Sequence, residues 1–285
     1  MRLNWTLSLA LVAALATPLL TIGAAMAQSD GDPGVSIELV DPKVLRVCAD
    51  PNNLPFSNEK GEGYENKLAE FLAKKLGKSL AYTFYPGATG FVRLTLMSHK
   101  CDIIMSFPQG DDLVQPTNPY FRTAYALIFK PGSGFEGIES LDDPHLQGKR
   151  FGIVARTPPA TNLAVNGLIG AAKPYPLVVD TRFDSSTEAM FKDLVSGEID
   201  IGVLWGPIAG NFARRSSPPM VVVPLVKEKS GPKMAYRMVM GVRASDQDWK
   251  RLLNKIIAEN QGEITKLLLD FGVPLLDDND KPITH

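Results

Sequence analysis

Val44-Leu45-Arg46-Val47-Cys48-Ala49, followed by Asp50-Pro51-Asn52-Asn53-Leu54-Pro55-Phe56, is the stretch that decides the fold. The first six residues read as a strand, and the run of Pro and Asn after them reads as a turn. Downstream, Tyr64, Leu68, Phe71, Leu72 and Leu76 recur at helical spacing, and Gly77 is a good stop. Residues 79–85 alternate like a strand, 90–98 suit a short helix and 101–106 form another strand. The order β-α-β-α-β implies a parallel sheet with right-handed crossovers.

The same grammar recurs further on. Residues 150–155 read as a strand, a helix starts at about 160, and Leu177-Val178-Val179 reads as a strand. Residues 186–196 suit a helix stopped by Gly197, and 199–204 another strand. Two extended runs, 125–130 and 236–242, flank this second unit. The chain then runs into one long amphipathic helix over about 246–271. Two α/β lobes joined by two long strands make a hinged clamp with a cleft between them. In open α/β sheets ligands bind beyond the carboxyl ends of the strands. That rule points at 50–57, 85–87, 106–109, 156–159 and 205–207.

Composition narrows the function classes. The charges nearly cancel, 30 basic against 31 acidic for a net −1, so nothing drives the chain towards nucleic acid. The segment 1–27 has one charge, Arg2, then an apolar centre and an Ala25-Met26-Ala27 end. It reads as a secretory signal peptide, against the alternative of a membrane anchor. No later run approaches the roughly 20 apolar residues that span a bilayer. The expectation is an exported, periplasmic protein with no membrane insertion. Its parts would be signal peptide 1–27, flexible arm 28–43, lobe 1 at 44–128 and 238–285, and lobe 2 at 129–237.

Two Cys leave no room for a four-thiolate metal site. In an oxidising compartment Cys48 and Cys101, each on a strand-like run of neighbouring parallel strands, would pair. The alternative is two buried thiols. G-x-S-x-G, H-E-x-x-H, P-loop and G-x-G-x-x-G motifs are all absent. The three His, at 99, 145 and 285, have no metal partner at local spacing. Glu62 with Glu65, and Asp111 with Asp112, read as solvated faces. Asp277-Asp278-Asn279-Asp280 lacks the Gly and distal Glu of a calcium loop and reads as a solvated terminus. No catalytic residue, metal site or cofactor is assigned to this chain.

Several phrases resemble periplasmic solute-binding proteins of the amino-acid-binding type, family 3. They are Leu45-Arg46-Val47-Cys48-Ala49-Asp50, Leu54-Pro55-Phe56-Ser57, Gly63-Tyr64-Glu65, Cys101-Asp102-Ile103-Ile104, Asn118-Pro119-Tyr120, Leu146-Gln147-Gly148-Lys149-Arg150 and Ser196-Gly197-Glu198-Ile199-Asp200. The resemblance covers about 44–271. It implies a periplasmic binding protein-like α/β fold, two lobes joined by a two-strand hinge with an interlobe cleft.

The resemblance breaks at the ligand. Amino-acid binders of this family hold the ligand carboxylate with an Arg shortly before the counterpart of Asn118-Pro119-Tyr120, for bidentate contact. Here 109–115 contains no Arg. They hold the ammonium with an acid after the last strand of lobe 2, where this chain has Trp205. Their Gly-Thr after the first strand of lobe 2 is Arg156-Thr157 here. With both charged clamps missing, a zwitterion would lose its two main anchors. What replaces them is aromatic and apolar: Phe56, Tyr85, Phe107, Pro108, Tyr120, Trp205 and Pro207. Together with Asp50, Asn53, Arg122, Arg156 and Thr157 they form the expected cleft set, suited to a protein surface, an extended peptide or a quinone-like ring.

This combination resembles a narrower group, the divergent binding proteins encoded beside quinoprotein methanol dehydrogenases, the MxaJ/XoxJ type. The carrier is the phrase running from Arg46 through Asp50-Pro51-Asn52-Asn53 to Ser57-Asn58. Asn118-Pro119-Tyr120-Phe121-Arg122 and Trp205-Gly206-Pro207 also fit. Members of that group are thought to assist maturation or activation of the dehydrogenase. The resemblance implies a partner dehydrogenase using pyrroloquinoline quinone (PQQ) with calcium or a lanthanide, together with its cytochrome c. The residues also leave open a solute receptor of an ABC-type uptake system for an apolar or aromatic molecule. An enzyme on the same fold is a third reading.

Overall fold

A computed structural model describes residues 38–181 and 183–284. The signal-peptide segment, and the arm up to residue 37, lie outside the described residues.

Lobe 1 is built around β1 (Val44–Ala49). A two-residue hairpin follows, β2 (Asn52–Asn53) and β3 (Ser57–Asn58). Then come α1 (Tyr64–Leu76), β4 (Ser79–Phe84), a single helical turn α2 (Phe91–Leu94) and β5 (Ile103–Pro108). β1 runs parallel to both β4 and β5. The apolar stripe of α1 becomes core, with Tyr64, Leu68 and Leu72 fully buried. Gly77 ends the helix at φ 64, a left-handed cap that glycine adopts without strain. A short β6 (Gln115–Pro116) leads into β7 (Phe121–Phe129).

Lobe 2 holds β8 (Phe151–Val154), α3 (Pro158–Val165), β9 (Ala172–Tyr175), α4 (Ser186–Ser196), β10 (Ile201–Trp205), α5 (Gly206–Arg215) and β11 (Val221–Pro224). The chain returns along β12 (Ala235–Val242) and ends with α6 (Gln247–Glu259) and α7 (Gln261–Asp270). The strand order is β4-β1-β5-β12-β7-β10-β8-β9. β7 belongs to both lobes: Phe121–Ala124 registers with β12, whereas Tyr125–Ile128 registers with β10. Each lobe keeps its own core on both faces of its sheet.

Buried bonds tie lobe 1 together. Cys48 and Cys101 form a disulfide with both side chains buried. Beside it Asp102, fully buried, accepts from Arg46 and, at 2.7 Å, from Arg243. Arg243 also pairs with buried Asp246 and donates to the Cys101 carbonyl. A buried charge is tolerable only when partnered in this way.

Four sequence expectations change. The helix expected over 246–271 breaks at Asn260 (φ −129°) into α6 and α7, so that both can wrap lobe 1. The second strand of lobe 2 is Ala172–Tyr175, and 177–179 is not a strand. Pro174 obscures that strand's pattern, yet as the sheet's edge β9 tolerates it. Helix α5 was not expected. Residues 38–43, at the end of the segment read as a flexible arm, are tied down: Glu38 accepts from the amides of Asp248 and Trp249 at the start of α6, and Asp41 from those of Lys43 and Val44. An acid at a helix start satisfies orphan amides and suits the helix dipole.

Candidate functional site

The two lobes enclose a cleft of about 950 Å³. Its floor is aromatic because of strand register. Trp205, the last residue of β10, lies opposite Tyr125 on β7. Tyr236 on β12 comes in from the other hinge strand. The three rings meet edge to face: Tyr125–Trp205 at 5.1 Å, Trp205–Tyr236 at 5.8 Å and Tyr125–Tyr236 at 6.4 Å. Edge-to-face pairs are the favoured aromatic geometry. Burial, and Tyr236 nearby, push the Tyr125 hydroxyl up to about 12, so the floor stays uncharged.

Lobe 1 adds Asn52, Asn53, Leu54, Phe56, Pro108 and Met238. Lobe 2 adds Val154, Thr157, Leu177, Val179 and Ile208, with the first turn of α4 at the rim. The lips are apolar: Leu54, Leu177 and Phe183 are exposed. Among the described lining residues the charged ones are Asp184, Glu188 and Lys192, none of them on the aromatic floor, and Glu188 is paired with Arg215. No arginine is among them. The lobes touch at the rim, where Asn52 Nδ2 donates to the Thr181 carbonyl at 2.6 Å and Thr181 Oγ1 faces Asp50 Oδ1 at 3.5 Å.

Of the residues expected in the cleft, Asn53, Phe56, Pro108, Thr157 and Trp205 line it. Asp50 is buried just behind the rim. It organises the loops there by accepting from the amides of Asn52 and Gly87. Six others lie elsewhere. Tyr120 is core, because its hydroxyl donates to the Met105 carbonyl and its amide to Met238. Phe107 packs on the disulfide side of the sheet, opposite Val239. Tyr85 leans on Phe91. Pro207 is buried in the first turn of α5. Arg156, at φ 65, is exposed outside the lining. Arg122 is taken up by the C-terminal residues, pairing with Asp280.

Two features escaped the sequence reading. Tyr125 and Tyr236 sit in runs recognised as hinge strands, and only register turns them onto the floor. Glu65, read as a solvated face, is largely buried just behind Phe56, whose carbonyl accepts its amide. Burial raises its carboxyl to about 7; a hydrogen bond to Ser106 opposes this and the Asp50 charge adds to it. Ser106 in turn bonds Tyr120 at 2.9 Å. The visible signal was Gly63-Tyr64-Glu65 at the helix start, whose amides at 64 and 65 bond the carbonyls of Pro55 and Phe56.

The model of the bacterial extracellular solute-binding proteins, family 3, matches residues 45–271. Protein MoxJ of Paracoccus denitrificans is 25% identical over 252 residues, 84% of this chain and 91% of its own. The crystal structure of periplasmic binding protein XoxJ from Methylobacterium extorquens AM1 is 38% identical, with a TM-score of 0.70, over 82% of this chain and all of that one. That of MxaJ from Methlophaga aminisulfidivorans MPT is 25% identical, with a TM-score of 0.72, over 81% and 100%.

Proposed function

The chain belongs to family 3 of the bacterial extracellular solute-binding proteins, and from that premise we propose that it is a non-catalytic periplasmic accessory of a PQQ-dependent methanol dehydrogenase. It assists maturation or activation of that enzyme by holding a segment of it in the interlobe cleft. The cofactors belong to the partner, PQQ with calcium or a lanthanide, and the dehydrogenase's cytochrome c is a second candidate partner.

One observation carries the reading: the interlobe cleft has an aromatic floor where the resemblance to amino-acid binders leads to the expectation of charged clamps. A free amino acid bound there would leave its carboxylate and ammonium without charged partners on the floor, at a cost of several kcal/mol. An apolar or aromatic protein segment meets no such penalty and buries the exposed Leu54, Leu177 and Phe183 lips. The likeness to MoxJ, XoxJ and MxaJ along most of the chain supports the association with methanol oxidation.

The test is co-purification with the neighbouring apo-dehydrogenase, followed by light scattering and by recovery of activity on adding quinone and metal. A complex, or faster recovery, is expected. Neither would return the cleft to a second reading, a solute receptor of an ABC-type uptake system. Its volume and neutral floor favour that reading for an apolar or aromatic molecule. A thermal-shift screen with free PQQ and related rings distinguishes the two.

A further inference from the structure

The C-terminal residues, read from the sequence as a solvated tail, cross the hinge. After α7 the chain passes along α5 of lobe 2. A Cβ placed on Gly210 would lie 1.8 Å from the Gly272 carbonyl oxygen, and one on Gly206 would lie 2.9 Å from the Pro274 side chain. Arg214 stands over the Phe271 ring at 6.0 Å. Gly206, Gly210 and Arg214 share one face of α5 at i, i+4 and i+8, so the two glycines open a groove that admits 272–274.

The chain next reaches the hinge strands. Thr123 Oγ1 donates to the Pro274 carbonyl at 2.8 Å, and the Leu276 amide to the Arg122 carbonyl at 2.9 Å. Arg122 on β7 and Arg237 on β12 are direct cross-strand partners. Like charges in that register repel. The acidic turn answers both: Asp280 pairs with Arg122, Asp278 pairs with Arg237 at 2.8 Å, and the Asp277 carbonyl accepts from Arg122 at 3.2 Å. The turn is itself built, since the Asp277 carboxylate accepts the amides of Asn279 and Lys281. None of 271–284 lines the cleft.

We propose that residues 271–282 are a strap across the back of the hinge that sets the resting angle between the lobes. Opening the cleft moves α5 against lobe 1, and the strap is held on α5 by backbone approach and on both hinge strands by hydrogen bonds and ion pairs. Loosening it shifts the population towards wider angles and so changes how readily the cleft takes any occupant. The Asp278 pair is exposed and screened by salt, whereas Arg122 is largely buried, so the strap loosens only in part at high ionic strength.

The test needs no partner or ligand. Spin labels at Lys74→Cys on lobe 1 and Val195→Cys on lobe 2, both exposed, report the interlobe distance by double electron–electron resonance. The comparison is between the otherwise unaltered chain, D278N/D280N, and a chain ending at Leu276. A longer mean distance and a roughly twofold broader distribution are expected in both variants. In 0.5 M NaCl the unaltered chain should move the same way by a smaller amount. D278N/D280N keeps every backbone contact, so it decides the matter if the shortened chain does not fold. A distance distribution unchanged in D278N/D280N overturns the proposal.

Discussion

Replacing Glu65 with Gln removes a titrating proton while keeping the side chain's shape. A free glutamate carboxyl has a value near 4.5, and burial raises that of Glu65 to about 7. Between those values the folded protein holds a proton that the unfolded chain has released. Stability therefore falls as pH rises from about 4.5 through about 7, and is level above. The interval corresponds to about 3 kcal/mol. The side chain keeps some solvent contact, which reduces the expected effect to about 2 kcal/mol. Glu65→Gln has no such slope. Urea unfolding followed by tryptophan fluorescence at pH 5, 6, 7 and 8 measures both proteins under identical conditions. The variant should gain about 2 kcal/mol on the parent between pH 5 and 8. Stability curves that stay parallel across that range would refute the buried, protonated carboxyl.

Other perturbations address the frame and the cleft. Cys48→Ala with Cys101→Ala opens a link between residues 53 apart, and denaturant unfolding should register a loss of about 4 kcal/mol. Asp102→Asn leaves Arg243 and Arg46 short of a counter-charge and should cost about 3 kcal/mol in the same assay, well above the cost of an exposed pair such as Lys266–Asp270. Gly210→Ala drives a methyl into the Gly272 carbonyl and should lower stability by about 2 kcal/mol; an unchanged midpoint would mean that the strap is not seated on α5. Trp205→Ala removes two ring contacts from the floor and should weaken capture of the apo-dehydrogenase by about tenfold with far-ultraviolet dichroism unchanged. Undiminished capture would place the partner elsewhere.

The frame was legible because its signals are local. Gly77 and Gly197 are good helix stops on local grounds, and the helix over 186–196 ends at Gly197 as the sequence predicts, the structure adding Ser185 as its N-terminal cap. The cleft was less legible because lining it depends on which face of which strand is turned inward. Phe107 and Pro108 are adjacent, yet one packs on the disulfide and the other reaches the cleft. Leu177-Val178-Val179 has the composition of a buried strand and is instead a lip, its Leu and Val178 exposed. Nothing local tells those cases apart. Arg122 shows the same limit for charge. Its counter-ion lies more than 150 residues away in the chain, so neither the pairing nor the purpose of the acidic tetrad could be read in one dimension.

Among the described residues the cleft floor carries no charged clamp, and protein contacts cross the hinge; the two are linked. Where a ligand's own charges hold two lobes together, closure waits on that ligand, and a site built for charge rejects an occupant that lacks it. Here the chain supplies the bridges itself. Asn52 reaches Thr181 at the rim, Trp205 and Tyr125 meet Tyr236 on the floor, and 271–282 spans the back. The lobes can then approach without a charged ligand, around a cavity whose walls are mostly apolar and whose charged lining residues, among those described, lie off the aromatic floor. Such a surface discriminates by shape and ring contact more than by charge. That favours a large neutral occupant, and it makes the angle set at the hinge, not a salt bridge in the cleft, the quantity that governs entry.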